Sequence, residues 1–271
     1  MSDIAIAECR RLGWTRRVRP ASLGSIVAKL LRGQEHRTIV ATSWGLRFYL
    51  DPLSNLGSAF VERNDYEPQT RQILVDALRE GDTFVDIGAN EGVFSCLAAA
   101  KVGPRGKVVA VEPQQRLRDV LEINLALNGT RNCVLVMKAL SDEPSVILRL
   151  FPTMNTGASS VVRRYRWSRA KQITPTISFS DLLLENAVAR ADFVKVDVEG
   201  YEKEVADSMV PAIRSGKVKT LLLDYHASIL ASRGVRASDI HARLLAAGLT
   251  PVTDGDPALA GYVLYTNPAV G

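Results

Sequence analysis

The segment Thr83-Phe84-Val85-Asp86-Ile87-Gly88-Ala89-Asn90-Glu91-Gly92 constrains this chain more than any other. A short apolar strand runs into a tight turn with a glycine at each end, and an alanine-rich helical stretch follows. Glycine lets the backbone approach a ligand with no side chain in the way. Asn90 is placed to cap the helix, which the pattern predicts over 91–101. Asp86 stands where the strand ends and can meet a ligand's ammonium group. A dinucleotide loop would read G-x-G-x-x-G. Here Asn90 takes the second glycine's position and Val93 the third, so a pyrophosphate loses its close approach, and Asp86 would repel it. A phosphate-free nucleoside bearing an ammonium group, such as S-adenosylmethionine, suits these features.

The second strand supports that reading. Val108-Val109-Ala110-Val111-Glu112-Pro113 ends in a carboxylate 24 residues after Gly88. A carboxylate at this place can accept hydrogen bonds from both ribose hydroxyls.

Around this pair, apolar strands alternate with amphipathic helices. Strands are predicted at 83–87, 107–111, 133–137, 146–151, 193–196 and 218–223. Helices are predicted over 69–79, 114–127 and 202–214, one from an N-cap at Ser180 to 185, and one from Ser238 to 247. Residues 152–175 read as irregular and basic. Such alternation argues a mostly parallel sheet covered on both faces. The last strands, 249–253 and 260–266, have no helix between them and should pair as an antiparallel hairpin. The expectation is a Rossmann-like α/β fold with a reversed strand near the end of its sheet. Before it, residues 3–33 read as helical and 37–51 as a β-hairpin turning at Trp44-Gly45. Residues 1–80 are therefore expected to pack as an N-terminal segment on a ligand-binding domain of residues 81–271.

With 271 residues, 46% of them hydrophobic, the chain can bury one sizeable core. The net charge is +5. Arg10, Arg11, Arg16, Arg17 and Arg19 form one basic cluster, and Arg163, Arg164, Arg166, Arg169 and Lys171 a second around Tyr165 and Trp167. Either can be a solvated loop or can attract an anionic partner. Cys9, Cys96 and Cys133 have neither metal-ligand nor redox spacing. No run reaches the roughly 18 apolar residues of a membrane span. The stretch 21–31 resembles a signal peptide, but Lys29 interrupts it and no small-residue cleavage site follows. A cytoplasmic protein, with homo-oligomerisation left open, is the expectation.

Gly81 through Gly92, then Glu112-Pro113, then Lys195-Val196-Asp197-Val198-Glu199-Gly200-Tyr201-Glu202 resemble the FkbM family of methyltransferases, as do Tyr66-Glu67-Pro68 and the segment 155–160. The resemblance covers roughly residues 37–250. It implies a class I methyltransferase fold and S-adenosylmethionine as cofactor. The implied reaction is methylation of a hydroxyl on a sugar, glycolipid or polyketide-type small molecule. It also implies that Asp86, Gly88, Ala89, Asn90 and Gly92 bind the methionine part and that Glu112 and Pro113 bind the ribose. The turn carrying Ala139, Leu140 and Asp142 would lie near the adenine.

Lys195, Asp197 and Glu199 alternate with valines, which sets the three charges on one strand face. The next strand ends in Asp224 and His226. Open α/β sheets bind ligands at the carboxyl ends of their strands, so all five groups can converge there. An alcohol needs a base to take its proton. His226, Asp197 and Glu199 are the candidates, and Lys195 can hold a carboxylate or stabilise developing alkoxide. The bland alternatives are a structural ion pair for Lys195 with Asp197 and a helix cap for His226. The carboxylates and His226 also suit a divalent metal, which their spacing does not by itself require. His36 and His241 have no motif around them.

Two rival functions stay open. Arginine with aromatic residues in 163–171 suits single-stranded nucleic acid, so an RNA methyltransferase is the alternative. The proline-rich strand-end loop of enzymes that methylate base amines is absent, since the strand continues as Asp-Val-Glu-Gly. A non-catalytic module that only retains the cofactor pocket is the other, and the charged strand ends argue against it.

Overall fold

The computed structural model of the chain describes residues 11–18, 37–143, 145–149, 171–252 and 261–270, together with positions 23, 24, 27, 30 and 31. Most of the helix expected over 3–33 lies outside these residues, as do Cys9, His36, the segment 155–160 and the basic stretch 163–170. Gly13–Arg17 forms a 3-10 turn.

The core is a seven-stranded sheet. Its strands are β3 (Thr83–Ile87), β4 (Lys107–Val111), β5 (Cys133–Val136), β9 (Ala191–Val196), β10 (Val218–Asp224), β11 (Thr250–Pro251) and β12 (Tyr262–Thr266). Across the sheet they run β11-β12-β10-β9-β3-β4-β5. β3 pairs parallel with both β4 and β9, β9 parallel with β10, and β12 antiparallel with β10 and β11. This is the mostly parallel sheet with one reversed strand that the alternation predicts. The chain winds from β3 towards β5 on one side and from β9 towards β10 on the other. The order therefore switches between β3 and β9, and a crevice opens there at the strands' carboxyl ends.

Helices cover both faces. α3 (Val93–Val102) is buried nearly all round, from Val93 through Ala99, which explains its weak amphipathic pattern. It can be so because β1 (Thr38–Ala41), β2 (Arg47–Leu50), α1 (Asn55–Arg63) and α2 (Pro68–Ala77) form a further layer outside it. Phe48 and Phe60 of that layer share one apolar cluster with Phe84, Phe94 and Phe193. α4 (Arg118–Leu127) ties the hairpin down: the Tyr49 N–H donates to Asn124 at 2.6 Å and the Arg47 N–H to Asn128 at 2.9 Å. Arg37 donates two bonds to Glu91, whose side chain is fully buried. On the opposite face α5 (Phe179–Glu185), α6 (Glu202–Arg214) and α8 (Ala237–Ala246) bury Phe179, Leu182, Val205, Met209 and Leu244 against β9 and β10.

Several expectations are corrected. The helix after the first loop starts at Val93 rather than Glu91, and its N-cap is Gly92 at φ +83, not Asn90. Asn90 is itself left-handed at φ +51, so it turns the loop instead of capping the helix. Residues 171–175 are not irregular: β8 (Lys171–Ile177) pairs antiparallel with β7 (Ser145–Arg149) and parallel with β6 (Ala139–Leu140) in a separate three-stranded sheet. Its alternating burial is the signature of a half-covered strand. Ser178, not Ser180, caps α5 by accepting from the Asp181 N–H. Arg236, not Ser238, precedes α8 and makes no side-chain cap. α1 and the short helix α7 (Ala227–Ser232) had no sequence counterpart.

Candidate active site

The β3–α3 turn forms one wall of the crevice. Gly88 sits at φ +86, and a Cβ there would stand 1.9 Å from the Asp197 carbonyl oxygen. Only glycine lets the two loops meet so closely. The Asp197 N–H completes the contact by donating to the Ile87 carbonyl at 3.0 Å.

Glu112 lies across from Gly88, 3% exposed. Its two oxygens are each held by a backbone N–H, from Asn90 at 2.9 Å and from Gln114 at 2.8 Å. A carboxylate has about four acceptor positions, so these two donors and the Gln114 side chain leave room for a ligand hydroxyl. Burial outweighs these donors and pushes the carboxyl up to about 7. Gly88, Asn90, Glu112, Pro113, Ala139 and Leu140 all line the crevice.

The other four residues expected to bind cofactor stand elsewhere. Asp86 is 1% exposed and lies behind the turn. There it accepts from the Ser95 hydroxyl at 2.6 Å, and its other oxygen is buried with no hydrogen-bond partner. Gly92 packs against Leu121. Asp142 is exposed and is not among the lining residues. Ala89 borders a smaller recess on the other side of the turn.

The far wall is built by the ends of β9 and β10. β9 stops at Val196, so the two-residue period does not carry Asp197 and Glu199 as strand residues. The chain turns instead through Glu199 at φ +46 and Gly200 at φ +94. Left-handed non-glycine residues cost on the order of 1–3 kcal/mol and gather at functional sites. Of the five such residues described, Glu67, Asn90 and Glu199 line this one crevice.

Lys195 is 4% exposed and donates to Asp197 Oδ2 at 3.1 Å. Burial disfavours its charge, but Asp197 and Asp86 more than compensate and hold it above the ordinary lysine range. Burial likewise opposes ionisation of Asp197, and Lys195 and His226 overcome it, so the carboxyl titrates below the usual range. Lys195 thus lies beneath Asp197 as its counter-ion.

His226 precedes α7 but makes no side-chain cap. Its Nδ1 stands 2.6 Å from Glu202 Oε1, and Glu202 is fully buried at the start of α6. The same oxygen accepts from the Gly200 N–H at 3.0 Å. The imidazole's Nε2 faces Asp197 at 3.7 Å and Glu199 at 3.8 Å. Burial disfavours the charged ring, but Glu202, Asp197 and Glu199 together push it up to about 9. Asp224 completes the group; burial and Asp197 raise its carboxyl to about 6. Asp197, Glu199, Asp224 and His226 therefore meet on one wall, and Lys195 stands behind it. His241, by contrast, bonds the Tyr265 hydroxyl at 2.7 Å, away from the crevice.

Some lining residues carried no individual signal in the sequence. Tyr66, Glu67, Lys138 and Tyr201 all reach the crevice. Tyr66 and Glu67 were noticed only within a family-like tripeptide. Glu202 was read as the end of a family-like motif and the start of a helix but given no role, because its bond to a residue 24 positions away is a tertiary fact.

Several known proteins are similar to this chain. The chain is 26% identical over 163 residues to the hexuronic acid methyltransferase AglP of Haloferax volcanii, covering 60% of this chain and 64% of that protein. It is 32% identical over 150 residues to the methyltransferase sdnD of Sordaria araneosa, covering 45% and 58%. In both cases the match spans less than two thirds of the relative. Among solved structures, fibrillarin from Aeropyrum pernix with natively bound S-adenosyl-L-methionine matches with a TM-score of 0.44 and 16% identity, over 73% of this chain and 74% of that one. A family model described as the methyltransferase FkbM domain matches residues 86–248, from within β3 to just past α8. That is more than half of the chain, which belongs to the FkbM methyltransferase family.

Proposed function

We propose that the protein transfers the methyl group of S-adenosylmethionine to a hydroxyl of a sugar or sugar-like acceptor. The observation that carries this reading is the pairing of two walls across the switch point. Glu112 offers an oriented carboxylate beside a turn that only glycine can make. Asp197, Glu199, Asp224 and His226 face the same crevice.

The residues fit the cofactor. Glu112 suits the two ribose hydroxyls. The Asn90 Oδ1 is buried without a hydrogen-bond partner and suits a donor on the methionine part. When bound, S-adenosylmethionine supplies an electrophilic methyl on a positive sulfonium. The excess of carboxylates on the facing wall favours that charge. Those groups hold the acceptor hydroxyl in line and take its proton as the carbon–oxygen bond forms, which makes catalysis mostly positioning plus timely proton removal.

A sugar acceptor is favoured by the likeness to a hexuronic acid methyltransferase. Lys138 also lines the crevice, half-buried and paired with Glu185 at 3.1 Å. The test is methyl-labelled S-adenosylmethionine incubated with neutral glycosides, hexuronic acid glycosides and mixed RNA. Alkali-stable label in a glycoside is expected. Alkali-labile label would mean an ester on a carboxyl group, and label confined to RNA would mean the rival acceptor; either overturns the hydroxyl assignment.

A further inference from the structure

The acceptor wall carries charge that methyl transfer alone does not use. One ligand atom each from Asp197, Asp224 and His226 lies within 4.8 Å of the other two. The groups surround a common point without bonding to one another. His226 Nε2 stands 3.7 Å from Asp197 Oδ1, beyond hydrogen-bond reach. No described residue donates a hydrogen bond to the Asp224 carboxylate. The two carboxylates repel each other, and the Lys195 ammonium is bonded to Asp197.

The surrounding bonds orient two of these groups, Asp197 and His226, towards that point. Asp197 divides its oxygens: Oδ2 takes the Lys195 ammonium at 3.1 Å, and Oδ1 faces the imidazole. His226 divides its nitrogens in the same way. Nδ1 is held at 2.6 Å by Glu202, which is fully buried, and this leaves Nε2 for the cluster. A carboxylate behind an imidazole is the arrangement that fixes tautomer and ring orientation in metal-ligating histidines. Glu202 also has its second oxygen buried without a partner.

We propose that Asp197 Oδ1, Asp224 and His226 Nε2 form a binding site for one divalent cation. Two carboxylates and one imidazole suit a first-row divalent ion such as Mn2+ better than Ca2+, which prefers oxygen ligands alone. The remaining positions are open to water or to an acceptor hydroxyl. This deepens the methyl-transfer reading and, for its catalytic meaning, rests on it. A cation there lowers the pKa of a hydroxyl set against it. Glu199, outside the three ligands and 3.8 Å from Nε2, is placed to receive the proton. The oxygen's electron pair then forms the new carbon–oxygen bond, and the electrons of the broken carbon–sulfur bond stay on sulfur, so charge balances.

The test is calorimetric titration of the full chain, stripped with chelator, with MnCl2 alone. Wild type should show one saturable site, and Mn2+ should raise its melting temperature. Asp224→Asn and His226→Gln should each weaken binding at least about tenfold, and Glu202→Gln about 10- to 100-fold, the range for partners behind a metal ligand. Cation-free melts report whether each variant has folded; if His226→Gln has not, Asp224→Asn carries the test. Absence of saturable Mn2+ binding by wild type, or wild-type affinity in folded Asp224→Asn, overturns the site. Titration of the same sample with S-adenosylmethionine separates the two readings. Cofactor binding without Mn2+ binding removes the cation alone, whereas Mn2+ binding without cofactor binding leaves the site and removes its catalytic meaning.

Discussion

The two walls of the crevice are built on opposite principles. On the cofactor wall Glu112 is buried, yet each of its oxygens is already bonded to a backbone N–H. Nothing there must reorganise before a ribose binds. On the acceptor wall the charged groups are half-buried and stand apart, with His226 Nε2 3.7 and 3.8 Å from the nearest carboxylates. Backbone donors fix Glu112 for a hydroxylated partner, whereas clustered charges in a low dielectric act strongly on any charge that develops among them. The contrast separates holding the cofactor from moving its methyl group, and mutation can test that separation.

The largest effect should come from the acceptor wall. Glu199→Ala or His226→Ala should lower turnover by about 10²- to 10⁴-fold, the usual worth of a positioned acid–base group. Affinity for S-adenosylmethionine should stay near wild type, as calorimetry can check. Next comes the point where the walls touch. Gly88→Ala puts a Cβ against the Asp197 carbonyl in a backbone conformation that alanine resists. It should cost about 3 kcal/mol and lower the melting temperature by roughly 5–10 °C, and it should damage affinity and turnover together.

The cofactor wall should give a smaller and purer effect. Glu112→Ala removes two charge-assisted hydrogen bonds and should weaken cofactor binding about 10- to 100-fold. Turnover at saturating cofactor should change far less. The smallest effect is a pH dependence. The Glu112 carboxyl titrates at about 7 in the free protein because it is buried, and ribose hydroxyls donate to its ionised form. Below that pH the cofactor must first displace a proton, so affinity should fall as pH drops from 8 to 6, by at most about tenfold per unit. Above it the dependence should flatten. Glu112→Gln cannot titrate and should lose this slope; if the slope persists, another group sets it.

The cofactor wall was the more legible of the two in the sequence, for a physical reason. Its parts are local: an apolar strand, a turn that needs positive φ, and a second strand ending in a carboxylate. The alternation around it likewise announced the parallel sheet and the reversed final strand. Local rules failed where tertiary contacts decide. Asn90 has the right chemistry for a cap, but the loop bends through it. Asp86 ends its strand as read, yet Ser95 and the buried surroundings keep it out of the crevice. The acceptor wall could be named from Asp197, Glu199, Asp224 and His226, but not its support. No spacing rule joins Glu202 to His226; only the packing of α6 beside the end of β10 does so.

The central claim is that one wall binds the cofactor and the other moves its methyl group. The most direct test measures cofactor affinity and single-turnover rate on the same preparations of wild type, Glu112→Ala and Glu199→Ala. The account predicts a crossed result: Glu112→Ala loses affinity and keeps most of its rate on saturation, while Glu199→Ala keeps affinity and loses rate. If Glu199→Ala turns over like wild type, or if both variants lose affinity and rate in equal measure, the division between the walls is contradicted.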